Sequence, residues 1–217
     1  MQGFDLSHLV LLLPGLVLAF SVHEYAHARA AVSLGDSTPR LQGRLTLDPM
    51  AHLDLIGTLL LLFYGFGWAK PVQIDPRNLR HPRRDMTFIA AAGPLANVIA
   101  AFFLGVLLVS GFLRIPFVAN VHYVGDIIRY ALSINITLAA FNLIPVPPLD
   151  GANVLIGLLP ENQARAVENL APYGPLVLFV LVFSGAVRYV LGPFISAVTG
   201  VVLVGVEGVA RLFGLPF

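Results

Sequence analysis

The sequence has no cysteine and few charged residues. Without cysteine the chain has neither disulfide bonds nor thiolate ligands for a metal. Only 12% of its 217 residues are charged and 57% are hydrophobic, whereas about 25% of residues are charged in ordinary soluble domains. So few charged groups would not cover the surface of a water-soluble domain, and the composition predicts a membrane protein. The formal net charge is +1, which leaves no basic excess to attract nucleic acid.

Long apolar runs predict where the chain crosses the membrane. A transmembrane helix needs about 20 apolar residues, and the runs at about residues 6–34, 86–112 and 121–144 are long enough. The run at 53–66 has only 14 residues, which favours a re-entrant or interfacial segment. Two further runs, 172–191 and 193–213, are expected to complete the set. The predicted fold is an all-α membrane protein, a polytopic helical bundle of about five to six transmembrane or re-entrant segments.

Two short runs between these segments alternate apolar and polar residues. They are residues 43–48 (GRLTLD) and 70–75 (KPVQID). A period of two is typical of a β-strand with one buried face. We therefore expect a small β-sheet at the membrane surface.

Basic residues gather on one side of the predicted bundle. Short loops rich in Lys and Arg stay in the cytoplasm. If 53–66 is re-entrant, ten of the 13 basic residues fall on one side, namely Arg29, Arg40, Arg44, Lys70, Arg77, Arg80, Arg83, Arg84, Arg165 and Arg211. The first helix should therefore run from the outside toward the cytoplasm.

The first apolar run contains an H-E-x-x-H motif, His23-Glu24-Tyr25-Ala26-His27. Residues four apart share a helix face, so both imidazoles can reach one Zn²⁺ while Glu24 stands beside them to take a proton from water. Each ionisable group inside a membrane helix costs about 2.5 to 3.5 kcal/mol. This cost favours a functional site over a pair of core histidines without metal.

A third zinc ligand has to come from elsewhere, because a catalytic zinc normally takes three protein ligands. Asp150 is the best candidate, since it follows three closely spaced prolines and precedes Gly151, where a helix must break. Its other ordinary role would be the N-cap of the helix that begins near Ala152, and the residues alone leave both roles open. Weaker candidates are His52, Asp126, Glu161, Glu168 and Glu207.

Two asparagines lie in apolar helices, Asn97 and Asn142. An unsatisfied amide costs several kcal/mol inside a membrane. Each side chain therefore either makes a hydrogen bond between helices or acts as a donor that fixes the substrate backbone or the oxyanion. We favour packing for Asn97 and function for Asn142.

Three motifs in this order resemble the site-2 protease family of intramembrane zinc metalloproteases. They are His23 to His27, the Gly-Pro-Leu-Ala-Asn of residues 93–97, and the N-x-x-P-x-P-x-L-D-G of residues 142–151. The resemblance implies that His23, His27 and Asp150 hold one zinc ion and that Glu24 is the catalytic base. It also implies a metal site within the membrane, toward the cytoplasmic side, and hydrolysis of a peptide bond within or near the transmembrane helix of a membrane-protein substrate. We expect an integral protein of a prokaryotic cell membrane.

The expected domain organisation is simple. Residues 1–160 should form the intramembrane metalloprotease core, and residues 161–217 should add C-terminal transmembrane helices to the same domain. Compared with larger members of the family, we expect no transmembrane helix before the H-E-x-x-H helix and no PDZ or CBS domain. Two other functions stay open, a metal-ion transporter and a catalytically silent adaptor with a structural zinc. A homo-oligomer is compatible with the sequence.

Overall fold

The chain folds into a bundle of helices. The computed structural model describes residues 6–64, 67–119, 121 and 123–215. Its α-helices are α1 (Leu6–Leu34), α2 (Thr38–Leu41), α3 (Pro49–His52), α4 (Leu55–Tyr64), α5 (Pro82–Val109), α6 (Pro116–Ala119), α7 (Val124–Asn142), α8 (Asp150–Leu158), α9 (Glu161–Leu170), α10 (Gly174–Phe183) and α11 (Val187–Phe213). Short 3₁₀ helices lie at Pro76–Asn78, Phe112–Arg114 and Ala171–Tyr173.

Among the residues described, five helical stretches are long and apolar enough to cross a membrane. They are Val10–Leu34, Pro82–Val109, Val124–Asn142, Glu161–Phe183 and Val187–Phe213. The fourth of these joins α9 and α10 through the 3₁₀ turn between them. These helices confirm the predicted fold class, an all-α integral membrane protein.

The residues at the two ends of the short apolar run before α5 lie side by side. Helix α4 has 10 residues and is about 15 Å long, half of the roughly 30 Å of a bilayer core. Leu53 forms an antiparallel bridge with Ala69, so the two ends of the segment meet. The two arms of the segment are in close contact, since a Cβ on Gly57 would lie 3.0 Å from the Trp68 carbonyl carbon. These contacts agree with the predicted re-entrant segment, and residues 65 and 66 lie outside the described part of the chain.

The predicted small sheet is not found where it was expected. Residues 43–48 and 70–75 are all described, and none of them belongs to a strand. Side chains bond to several of their backbone groups instead. Arg44 donates to the carbonyls of Ala51 and Pro71, and His52 Nε2 donates to the Thr46 carbonyl at 2.7 Å. Pro71 also lacks the N–H that a sheet ladder would need.

The three sequence motifs lie on a tight cluster formed by α1, α5, α7 and α8. Helices α1, α5 and α7 pack against one another, and α8 packs on α5. A Cβ on Gly15 of α1 would lie 2.8 Å from the Ala131 Cα of α7, and a Cβ on Gly151 would lie 2.5 Å from the carbonyl carbon of Leu143. Glycine is therefore required where α1 crosses α7 and where α8 folds back beside the end of α7.

The C-terminal helices break at a different residue from the one predicted. The sequence predicts helices at 172–191 and 193–213, separated near Pro193. In the structure α10 ends at Phe183, and Pro193 lies inside α11. Gly185 adopts a φ of 72°, a left-handed conformation that glycine adopts without steric cost. Membrane helices tolerate an internal proline, so the glycine rather than the proline makes the turn.

Candidate active site

The two histidines of the H-E-x-x-H motif face the same point. They are one turn apart on α1, and their Nε2 atoms are 3.0 Å apart. Both side chains are buried, with 5% of His23 and 8% of His27 exposed. Helical geometry alone aligns residues four apart, so this half of the site follows directly from the sequence.

Asp150 completes the cluster from α8. Its Oδ2 atom lies 3.2 Å from the Nε2 atom of each histidine. Leu149, not Asp150, occupies the cap position of α8, so the carboxylate is turned toward the histidines rather than toward the helix end. Oδ2 is buried and accepts no hydrogen bond. The broken backbone before α8 thus brings a carboxylate oxygen to the two imidazoles.

The hydrogen bonds of the two imidazoles indicate that this cluster fits a metal ion. His27 Nδ1 donates to the Ile89 carbonyl at 2.7 Å, and His23 Nδ1 lies 2.7 Å from Asn97 Oδ1. In a neutral imidazole the other nitrogen, Nε2, then carries a lone pair. Two such lone pairs and one carboxylate oxygen converge, and a cation between them satisfies all three.

The spacing of the three atoms agrees with zinc. Ligand atoms placed tetrahedrally at 2.0 to 2.1 Å from zinc are roughly 3.3 Å from one another. The observed separations are 3.0 Å between the two Nε2 atoms and 3.2 Å from each of them to Asp150 Oδ2. Two imidazoles and one carboxylate are also an established donor set for a catalytic zinc.

Glu24 lies beside this cluster and faces the same cavity. The cavity has a volume of about 250 Å³ and is lined by His23, Glu24, His27, Pro71, Val72, Ile74, Met86, Ile89, Ala90, Asn142, Pro148, Asp150 and Asn153. Glu24 is 8% exposed, and its Oε2 atom accepts a hydrogen bond of 3.0 Å from the Val72 N–H. The carboxylate is therefore held in one orientation at the cavity wall.

Residues 70–75, which we call the strap, pass over one side of the cavity. Lys70 N donates to the His52 carbonyl at 2.8 Å, and Asp75 N donates to Asp36 Oδ2 at 2.8 Å. Asp36 also accepts hydrogen bonds from Thr38 and Asn78. The strap is thus fastened at both ends, and Val72 in its middle reaches Glu24.

Asp36 is held in its charged form at the anchor of the strap. Burial alone would raise the pKa of its carboxyl group. Hydrogen bonds from Thr38, Asn78 and the backbone of Asp75 oppose burial and hold the pKa below the ordinary value.

The two asparagines singled out from the sequence have different surroundings. Asn142 lines the cavity, and its Nδ2 donates to the Leu138 carbonyl at 3.1 Å. Asn97 is fully buried behind His23 and contacts that ring. Asn142 therefore lies at the cavity, whereas Asn97 contacts Nδ1 of His23, the ring atom that is not directed at the proposed metal site.

The weaker ligand candidates lie outside the cluster. Within the described residues, the group whose donor atoms all fall within 4.8 Å of one another is His23, His27 and Asp150. Asp126, Glu161 and Glu207 each pair with an arginine on their own helix. His52 is fully buried and bonds to the Thr46 carbonyl, and Glu168 is exposed.

Sequence reasoning missed several groups at the site. The Ile89 carbonyl and the Val72 N–H are backbone atoms, which carry no residue-type signal. Asn153 lies one turn into α8, on the cavity wall. Its spacing of three from Asp150 places both on one helix face, and this signal could have found it.

Gly93 on α5 leaves the space that the imidazoles occupy. A Cβ at this position would lie 2.6 Å from His27 Cε1 and 2.7 Å from His23 Cε1. Carbon atoms not bonded to each other pack no closer than about 3.5 Å. Helix α5 can therefore approach the two histidines only with a glycine here.

Comparison with known proteins shows the family to which the chain belongs. The profile of peptidase family M50 matches residues 109–184. The chain is 34% identical to the Bacillus subtilis protein named "Putative zinc metalloprotease YwhC" over 216 residues, which cover 99% of this chain and 95% of that protein. The chain belongs to peptidase family M50, the site-2 protease family.

More distant members of the family M50 match as well. The "Putative zinc metalloprotease Rip2" of Mycolicibacterium smegmatis is 28% identical over 186 residues, 82% of this chain and 69% of that protein. The Mycobacterium tuberculosis protein of the same name is 29% identical over 178 residues, 79% and 66% of the two chains. No solved structure gives a significant match. This M50 peptidase is a zinc metalloprotease and an integral membrane protein.

Proposed function

We propose that this M50 peptidase hydrolyses a peptide bond within or near the transmembrane helix of a membrane-protein substrate. The observation that carries the proposal is the convergence of His23 Nε2, His27 Nε2 and Asp150 Oδ2. Two of these atoms belong to a helix long and apolar enough to cross a membrane. A site built into such a helix meets peptide bonds that are themselves in or at the membrane.

His23, His27 and Asp150 would hold one zinc ion. When bound, a zinc ion polarises a scissile carbonyl as a Lewis acid and lowers the pKa of a water molecule to about 7. The hydrogen bonds from Nδ1 of each histidine direct its Nε2 toward the ion.

Glu24 would act as the general base. Its Oε2 atom is occupied by the Val72 N–H, which leaves Oε1 to take a proton from the attacking water. Glu24 then returns this proton to the leaving amine as the peptide bond breaks. The contact with Val72 fixes the carboxylate at the cavity wall, so little reorientation is needed before proton transfer.

The substrate helix has to unwind locally before it is cleaved. In a helix each carbonyl is hydrogen-bonded within the chain and hidden from the site. An unwound stretch needs new partners for its backbone groups, and the strap is the element nearest to the site that offers them. In the structure as described, the N–H groups of Gln73 and Ile74 have no hydrogen-bond partner. We propose that the substrate backbone pairs with this part of the strap, as in strand addition.

We further propose that the site opens toward the cytoplasm. The re-entrant geometry of residues 53–69 supports this orientation, because both ends of the segment meet at the bridge between Leu53 and Ala69. The basic residues from Arg29 to Arg84 then lie on one side of the membrane, and such clusters stay in the cytoplasm.

The proposal is tested by cleavage of a single-span membrane substrate by the purified protein in lipid vesicles. We expect the wild type to cut within or beside the span, with the cut site identified by mass spectrometry. Glu24→Gln should lower the rate by at least about 100-fold, because general-base catalysis contributes a factor of this size. Its zinc content should be unchanged, since Glu24 is not one of the three ligands.

Glu168→Gln is the matched control, because Glu168 is an exposed glutamate on α9 and should behave like the wild type. Cleavage by Glu24→Gln at the wild-type rate would contradict the role of Glu24. Zinc uptake into vesicles in place of cleavage would instead support the transporter alternative.

A further inference from the structure

Two asparagines buried in apolar helices form a hydrogen-bonded chain that ends on His23. Asn97 lies on α5 and Asn135 on α7, and neither side chain is exposed. Burying an amide in an apolar environment costs free energy unless its groups are paired. Each side-chain nitrogen and oxygen of the two amides has a hydrogen-bond partner, and the residues of this network lie on α1, α5 and α7.

Backbone carbonyls at the far end of the chain set its direction. Asn135 Nδ2 donates to the Ala131 carbonyl at 2.8 Å, so Asn135 Oδ1 is left to accept from Asn97 Nδ2 at 2.9 Å. Asn97 Nδ2 also donates to the Ala19 carbonyl of α1 at 2.9 Å. Carbonyl oxygens only accept hydrogen bonds. Both amides are therefore fixed in one of their two orientations.

The fixed amide of Asn97 presents its oxygen to His23. His23 Nδ1 lies 2.7 Å from Asn97 Oδ1 and must donate, because that oxygen accepts. The proton of the neutral ring is thus on Nδ1, and the lone pair of Nε2 points toward Asp150 Oδ2 at 3.2 Å. If Asn97 were flipped, its NH₂ group would face Nδ1 and favour the opposite tautomer, with the proton on the nitrogen that should bind metal.

Both histidines carry their proton on Nδ1, but the acceptor that holds it there differs between them. His27 Nδ1 donates to the backbone carbonyl of Ile89, which no side-chain substitution removes. His23 depends on a side chain whose orientation is itself set by a second side chain. Of the two histidines, His23 is therefore the one whose tautomer a side-chain substitution can change.

We propose that Asn97 and Asn135 are positioning residues that fix the tautomer of His23 and thereby set the affinity of the site for zinc. Asn135 acts through Asn97 across the interface between α5 and α7. The inference rests on the proposed metal site, and it assigns Asn97 to the metal side of the mechanism rather than to contact with the substrate.

The test is the zinc affinity of purified variants, measured by competition with a chelator. Partners of metal-ligating histidines typically change metal affinity by about 10- to 100-fold when they are removed. We expect Asn97→Leu to weaken zinc binding by an amount in this range. Asn135→Leu should weaken it less, because Asn97 keeps its bond to the Ala19 carbonyl.

Two further variants separate positioning from packing. Asn135→Asp in its neutral acid form offers one acceptor to Asn97 and one donor to the Ala131 carbonyl, so its zinc affinity should lie closer to the wild type than that of Asn135→Leu. Thr137→Leu is the matched control, since Thr137 is on the same helix but exposed, and its affinity should not change. The visible spectrum of the Co²⁺-loaded protein should shift in Asn135→Leu and not in Thr137→Leu.

The outcomes distinguish the inference from the function on which it rests. Wild-type zinc affinity and an unchanged Co²⁺ spectrum in Asn135→Leu would overturn the positioning role alone. Equal losses of affinity in Asn135→Asp and Asn135→Leu would also overturn it, because packing rather than orientation would then be responsible. A wild type that binds no zinc would overturn the proposed function together with this inference.

Discussion

The helices up to α8 and the helices from α9 onward bury different kinds of side chain. The buried polar and charged side chains among the described residues all precede α8, and they are Ser21, His23, Glu24, His27, Asp36, Arg44, His52, Asp85, Asn97 and Asn135. In α9 to α11 the buried residues are Ala164, Gly174, Val198, Val202, Val206 and Ala210. The first region contains the candidate site, and the second is held together by apolar packing.

This contrast follows from the absence of water in the core of the bilayer. A buried polar group in the membrane needs a partner within the protein, and nearly all those in the first region have one. Helix α11 contacts α5 and α7 through Val198, Val202 and Val206, which repeat every four residues and so share one face. Such an interface depends on van der Waals contact. Substitutions should therefore affect zinc and cleavage in the first region and only stability in the second.

The largest expected difference is between alanine substitutions of one glycine in each region. Gly93→Ala should abolish zinc binding and lower the cleavage rate by at least about 100-fold, because its Cβ would lie 2.6 Å from His27 Cε1 and 2.7 Å from His23 Cε1. Gly208→Ala on α11 meets nothing within 4 Å and should bind zinc and cleave like the wild type. Zinc content and initial rates of both variants check the pair, and equal behaviour of the two would refute the contrast.

The sequence alone predicts the motif side chains of the site, but not the backbone atoms and distant side chains that orient them. The histidine pair and its zinc were predicted from helical spacing, the residues made Asp150 the best candidate for the third ligand, and the resemblance implied that role. The orientation of His23 could not be predicted, because it depends on Asn135, which belongs to none of the three motifs and is 112 positions away from His23. The Ile89 carbonyl and the Val72 N–H are likewise positioned only by the folded backbone.

The fold shows the same limit. The first three long apolar runs, 6–34, 86–112 and 121–144, predicted α1, α5 and α7 to within a few residues, whereas the boundary between the last two helices was misplaced. The two alternating runs predicted strands that these residues do not form, because side chains of Arg44 and His52 bond to the backbone of these loops. Tertiary contacts thus override a period of two when a run is short, and in residues 70–75 Pro71 also removes an N–H that a strand would need.

An intermediate effect is expected at the anchor of the strap. Asp36→Asn replaces one acceptor oxygen by an NH₂ group, so the side chain loses either the bond from Asp75 N to Oδ2 or the bonds from Thr38 and Asn78 to Oδ1. The strap should loosen, with a several-fold lower cleavage rate and unchanged zinc content. Proteolytic nicking within residues 70–78 should become faster, since anchored segments resist proteases.

The pH dependence of this effect has a definite sign. The pKa of Asp36 is lowered from 3.8, so its contribution to holding the strap is complete above that value and is lost only as the pH falls through the lower pKa of the folded protein. The ratio of wild-type to Asp36→Asn rates should therefore stay constant between about pH 8 and pH 5. A ratio that approaches one over this range would contradict the account of the anchor.

The smallest expected effect on catalysis lies in the C-terminal region. Val202→Ala removes buried methyl groups from the face of α11 and should lower the free energy of unfolding by about 1 to 3 kcal/mol. Zinc per folded molecule and the cleavage rate should stay at wild-type values. Thermal unfolding in detergent together with zinc content checks this, and loss of zinc from folded protein would show that the second region supports the site directly.

The most direct test of the central claim is the zinc content of the purified wild type and of Asp150→Ala, with Asp126→Ala as the matched control. Asp126 is an aspartate near the start of α7 that pairs with Arg129. If His23, His27 and Asp150 hold one ion, the wild type and Asp126→Ala should each contain about one zinc per chain, and Asp150→Ala should lose most of it. A full zinc content in folded Asp150→Ala, or no zinc in the wild type, would contradict the site.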